Sequence, residues 1–129
     1  MKIQHVAFWC KDIEVSREFY ISYFNATSNA KYQNPNTGFQ SYFLIFDNDV
    51  KLELMSKPTI QPRLNRMEDE HIGIAHLSFQ VDNAEAVDAL TEQLRGDGYR
   101  IASHPRKTGD GYYESVIFDP DGNRIEITA

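Results

Sequence analysis

The chain has 129 residues, 41% of them hydrophobic and 12% aromatic, enough apolar surface for one domain or two small modules sharing a core, which excludes disorder. Thirteen basic against 19 acidic residues give a net charge of −6 with no Lys/Arg stripe, so neither nucleic acid nor an anionic membrane is expected as a partner. Cys10 is the only cysteine, which rules out an intrachain disulfide and a thiolate zinc cluster.

No apolar run approaches the ~18 residues needed to cross a bilayer. Met1 is followed by no apolar h-region behind a basic n-region, so no secretory signal is expected and a cytoplasmic location is.

The first predicted element is the strand "IQHVAFWC" (residues 3–10). Asp12 is a candidate N-cap for a helix through "IEVSREFYISYF", where Val15, Phe19 and Tyr23 recur at helical spacing. A short strand is expected around residues 28–34. "SYFLIFDNDVKLELMS" (41–56) then reads as strand, turn and strand. Residues 57–72, with two prolines and mixed charges, form a connector.

The second half repeats this plan. "IAHLSFQV" (74–81) sets His76 in a strand 71 residues after His5, and Asn83 follows Asp12 at the same offset as a helix cap. "AEAVDALTEQL" places Val87, Leu90 and Leu94 on one helical face, and Gly96 and Gly98 stop it. After a short strand around 99–104, "YESVIFDPDGNRIEIT" (113–128) repeats the hairpin around a strong Asp-Pro-Asp-Gly turn. Phe46-Asp47 matches Phe118-Asp119 at offset 72 and Glu53 matches Glu126 at 73, which puts one extra residue in the second turn. The expected fold is therefore α+β: one domain, 1–129, made of two tandem strand–helix–three-strand modules at about 1–56 and 73–129.

Strand alternation assigns the faces. Val6, Phe8 and Cys10, and likewise Ala75, Leu77, Phe79 and Val81, form apolar faces under the helices. His5, Ala7 and Trp9 point the other way, as do His76, Ser78 and Gln80. Glu53 and Met55 oppose Leu52 and Leu54, and Glu126 opposes Ile125 and Ile127. Two imidazoles and two carboxylates thus share the faces away from the helices. If those faces enclose a cavity, the four donors suit zinc, nickel, cobalt, manganese or iron(II).

This arrangement resembles the vicinal oxygen chelate superfamily, which includes glyoxalase I, bleomycin-resistance proteins, fosfomycin-resistance enzymes and extradiol dioxygenases. The resemblance runs from "IQHVAF" to the closing motif "FDPDGNRIEI". It implies paired modules forming a metal-holding cleft, with His5, Glu53, His76 and Glu126 as ligands. A glutamate at position 53 resembles the glyoxalase I pattern. Fosfomycin enzymes and dioxygenases generally lack a ligand there. The resemblance departs at Trp9, where glyoxalase I typically has an arginine that contacts glutathione; an indole cannot make a bidentate carboxylate contact.

The implied function is that of a metal-dependent lyase or isomerase of the glyoxalase I type. It would act on a small α-hydroxycarbonyl or thiol adduct through an enediolate, with Glu126 or Glu53 carrying the proton. Two alternatives are a bleomycin-resistance-like protein that binds an aromatic ligand and an iron-dependent ring-cleaving dioxygenase. Trp9, Phe43, Met55 and Tyr113 are expected to line the substrate cavity together with Ile45 and Ser115. Arg106 and Lys107, in a loop through 106–115, would meet an anion. His71 and His104 are read as surface loop residues and Cys10 as core. Related short members are commonly two-fold dimers, so a homodimer is expected, its cleft built within one chain or between exchanged chains.

Overall fold

The computed structural model describes residues 1–47 and 49–129, organised as two compact units, Met1–Arg63 and Leu64–Ala129. The boundary falls inside the expected connector. Each unit is one helix on one sheet, so the fold is α+β with the strand–helix–three-strand plan written twice, except that the strand after the first helix is divided into two short ones. Among the described residues no helix is long and apolar enough to cross a membrane.

The first unit begins with β1 (Val6–Trp9) and α1 (Ile13–Phe24). Asp12 caps α1 by accepting from the Glu14 and Val15 amides, and Asn25 ends it in the left-handed conformation at φ 54°. The short strands β2 (Thr27–Ser28) and β3 (Tyr32–Gln33) both pair with β4 (Gln40–Ile45), which pairs with β5 (Lys51–Ser56). β1 then lies parallel to β5 at the sheet edge. The buried face of α1 carries Ile13, Ser16, Phe19, Tyr20 and Phe24, over Leu44, Leu52 and Leu54 of the sheet. Val15 turns to solvent, contrary to the expected face, because the buried stripe follows the 13–16–20–24 row instead.

The second unit has β6 (Leu77–Gln80), α2 (Ala84–Gly96), β7 (Ile101–Lys107), β8 (Tyr113–Phe118) and β9 (Arg124–Thr128), with strand order β6-β9-β8-β7. Asn83 accepts from the Ala86 amide to cap α2. Val87, Leu94, Ile117, Ile125 and Ile127 are completely buried between helix and sheet. Thr91 is buried with them, and its hydroxyl lies 2.6 Å from that of Ser115 and 2.6 Å from the Val87 carbonyl. β1 and β6 are less covered than expected: Val6, Phe8, Leu77 and Phe79 are only half-buried and Ala75 is exposed, whereas Cys10 is core.

The two hairpin turns correct the expected alignment. In the first, the Phe46 amide bonds the Val50 carbonyl and the Asp49 amide bonds the Phe46 carbonyl. In the second, Asp119 bonds Asn123 and Gly122 bonds Asp119 in the same pattern. Asp49 and Gly122 both take positive φ, 61° and 80°. At the described positions the turns are therefore equivalent at offset 73, and the extra residue lies upstream of the turn. Phe43 corresponds to Val116, not Ser115, and a one-residue slip exchanges the faces of a strand.

The latter part of the connector is tied to the second unit. Glu68 pairs with Arg100, its carbonyl accepts from Arg124 Nη2 at 2.8 Å, and Glu70 pairs with Arg124 at 3.2 Å. The Arg100 and Arg124 guanidinium groups lie over the Phe118 ring. The carboxyl of Glu68 is held below the usual range, first by its own backbone amide and then by Arg100.

Candidate metal centre

The geometry of each donor pair follows from a parallel ladder. In the first unit β1 and β5 place Ala7 opposite Glu53 and Trp9 opposite Met55. Registered neighbours in a sheet share a face, so His5, just ahead of β1, stands over the row that holds Glu53. His5 Nε2 lies 3.3 Å from Glu53 Oε2, and its Nδ1 is hydrogen-bonded to Gln4 Oε1. The Phe43 ring, opposite Glu53 on β4, meets the imidazole edge-on at 5.4 Å.

The second unit repeats the construction. β6 and β9 pair Ser78 with Glu126, and His76 just precedes β6. His76 Nε2 lies 3.4 Å from Glu126 Oε2. The Ser78 hydroxyl donates to Glu126 Oε1 at 2.6 Å. Both glutamate side chains are mostly buried, at 14% exposure, whereas the histidines are 34% and 42% exposed.

These pairs are spaced as co-ligands. A charge-assisted N–H···O bond closes to about 2.7–2.9 Å. At 3.3 and 3.4 Å the nitrogen and oxygen fall short of that contact. Donors so spaced subtend roughly 100–110° at an ion about 2.1 Å from each. Imidazole nitrogen and carboxylate oxygen are also the donor types that zinc and neighbouring divalent metals accept. Each unit thus carries a two-donor set that fits a divalent ion. Among the described residues no group of three or more His, Cys, Asp or Glu side chains forms a larger shell.

The flanking residues divide. Trp9 is 43% exposed, meets Phe39 edge-on at 6.4 Å, and has Lys57 Nζ over its ring at 5.0 Å. Half-buried Met55 is its neighbour on β5. Phe43, Met55 and Trp9 therefore lie on the Glu53 face as expected.

Tyr113 does not lie on the corresponding face of its own sheet. It stands on the helix side of β8, where its hydroxyl donates to Asp88 Oδ1 of α2 at 2.8 Å, and Ser115 is buried on that same side against Thr91. The cause is the register: β8 pairs Val116 with Glu126, so Glu114 and Val116 share the Glu126 face. Arg106 and Lys107 are the last residues of β7, not a loop, and His104 is an exposed residue within that strand. β7 continues because it keeps pairing with β8 through two register shifts.

Sequence reasoning passed over Glu114. It pairs with Arg106 across the ladder, with Nη2 at 3.5 Å from Oε1. Burial pushes its carboxyl above the usual range, and the Glu126 charge adds to the effect. Its signal was the alternation of β8 counted back from Val116, legible only once the hairpin register is known.

Comparison with known proteins bears on family and fold. The model of the Glyoxalase/Bleomycin resistance protein/Dioxygenase superfamily matches residues 2–127. An uncharacterized Bacillus subtilis protein, YqjT, is 27% identical over 98% of both chains. Glyoxalase I from Zea mays superposes with a TM-score of 0.80 at 21% identity, covering 98% of this chain and 44% of that one. The fosfomycin resistance protein FosX from Listeria monocytogenes, solved with Mn(II) and sulfate, superposes with a TM-score of 0.71 at 18% identity, covering 99% and 91%.

Proposed function

We propose that this chain, which belongs to the Glyoxalase/Bleomycin resistance protein/Dioxygenase superfamily, is a cytoplasmic metal-dependent lyase or isomerase acting on a small α-hydroxycarbonyl or thiol adduct. The observation that carries the reading is the repeated His–Glu pair, His5 with Glu53 and His76 with Glu126, at co-ligand spacing. In this reading the four side chains hold one divalent ion. When bound, that ion supplies a Lewis acid beside the substrate oxygens.

The chain's own residues do the rest. One glutamate takes the proton from the hydroxyl-bearing carbon and returns it to the adjacent carbonyl carbon. One C–H bond breaks and one forms, and the hydroxyl proton passes between the two oxygens. The product is an isomer and no oxidant is consumed. Trp9, Phe43 and Met55 supply an apolar wall beside Glu53, and Arg106, held by Glu114, offers a charge for an anionic group.

The test is bound metal by mass spectrometry alongside turnover of methylglyoxal adducts with several thiols. Stoichiometric divalent metal and isomerisation of at least one adduct are expected. A metal-free protein that binds aromatic ligands without turnover would support the sequestering alternative, for which the exposed Trp9 beside Phe39 is the favouring observation. Because Trp9 stands where a guanidinium would grip the glutathione carboxylate, glutathione is expected to be a poorer partner than smaller thiols. Efficient turnover with glutathione alone would refute that.

The reading includes a homodimer in which the two pairs of one site come from different chains. Mixing His5→Ala with Glu126→Ala chains checks it. Exchanged clefts leave one intact site in each mixed dimer, so activity partly returns. Clefts built within single chains stay damaged and activity remains absent.

A further inference from the structure

The two donor pairs occupy equivalent ladder positions, yet they are braced differently. Ala7 is opposite Glu53, whereas Ser78 is opposite Glu126. A methyl group thus stands in one unit where a hydroxyl stands in the other. That hydroxyl donates to Glu126 Oε1 at 2.6 Å, at the short end of O–H···O distances. Among the described residues, nothing besides His5 approaches the Glu53 carboxylate as a hydrogen-bonding or charged partner.

The histidines show the opposite asymmetry. His5 Nδ1 is hydrogen-bonded to Gln4 Oε1, and its Nε2 faces Glu53. The residue before His76 is Ala75, and among the described residues His76 Nδ1 has no partner. Each unit therefore has one braced and one unbraced donor: a fixed histidine with a free glutamate in the first, a fixed glutamate with a free histidine in the second.

The structure assigns Ser78 as a positioning residue that pins Glu126 as the permanent carboxylate ligand, leaving Glu53 as the carboxylate that lets go and carries the proton. This rests on the metal-dependent reading above, which did not distinguish the two glutamates. A bond from a neighbouring group to a ligand fixes the ligand's orientation, and its loss typically lowers metal affinity 10–100-fold. A carboxylate with no such bond rotates away at lower cost.

The experiment is a Co(II) titration followed by its visible absorption, with release to a chelator timed by stopped flow. Wild type, Ser78→Ala, Ser78→Thr and Ala7→Ser are compared. Ser78→Ala is expected to weaken Co(II) about 10-fold or more, speed its release and alter the band, and Ser78→Thr, which keeps the hydroxyl, to restore all three. Ala7→Ser should give Glu53 the missing brace and slow release severalfold, and turnover should fall although metal is kept. If wild type takes up Co(II) and Ser78→Ala binds and releases it identically, the assignment of Ser78 is overturned while the metal reading stands. If Ala7→Ser leaves release and turnover untouched, the role given to Glu53 is overturned. A wild-type protein that takes up no divalent ion overturns the metal reading and this inference with it.

Discussion

Alanine at His5 or at Glu126 is expected to lower the affinity for a divalent ion at least ~100-fold, beyond the range seen when only an outer partner of a ligand is lost. Each substitution removes one donor of a two-donor pair, and the remaining atom of that pair is a single monodentate contact. The same loss should appear in turnover, because no other His, Asp or Glu among the described residues stands within a third-donor arrangement to take over. Bound-metal analysis and a Co(II) titration of the two variants check this. Affinity held within about threefold of wild type in either variant would show that the residue is no ligand. His104→Ala, an exposed position on β7, is the control and should bind as wild type.

The second large effect concerns stability and lies in the turn before β9. Asp119 is 5% exposed, and its carboxylate accepts from the Asp121 amide at 2.9 Å, the Asn123 amide at 2.8 Å and Asn123 Nδ2 at 2.9 Å. Alanine would leave these donors without their acceptor in a part-buried turn. Hydrogen bonds to a charged acceptor are worth about 1.5–3 kcal/mol each in deletion experiments and are not additive, so a net loss of about 3 kcal/mol is expected. With a urea slope near 2 kcal/mol/M that is a midpoint lower by about 1.5 M. Asp119→Asn keeps an acceptor for the two backbone amides and should cost about 1 kcal/mol. The equivalent position in the first unit is Phe46, which offers no such acceptor, so the damage falls on the second unit. A midpoint shift below about 0.3 M for Asp119→Ala would refute the assignment.

The repeat and the helix limits were legible because their signals are local. Asp12 and Asn83 are N-caps of residue types that satisfy the first amides of a helix, and α1 occupies the stretch Ile13–Phe24 that the cap and the apolar spacing mark out. His5 and Glu53, and His76 and Glu126, were placed on shared faces by strand alternation alone, and their pairing at 3.3 and 3.4 Å agrees. Tyr113 was misplaced because its face depends on which residues of β8 and β9 oppose each other. That register is set by where the turn closes, and matching Phe46 to Phe118 by residue type put it one position off. The Ser78 brace was half visible: alternation set it beside His76, but the contact with Glu126 arises from a strand 48 residues away.

The donors of each pair are distant in sequence for a structural reason. β1 lies parallel to β5, and β6 parallel to β9, so the first strand of each unit is closed by its last, after a helix and two or more strands have intervened. Closing a loop of that length costs more chain entropy than closing the local hairpins, so these contacts are expected to form late in folding. An ion gripped by a His–Glu pair would clasp the two ends of its unit together at the joint expected to form last. It would then stabilise the native state with little help to the transition state, and metal should slow unfolding much more than it speeds refolding. Such a clasp would convert metal availability into the lifetime of the folded chain, apart from any contribution to turnover.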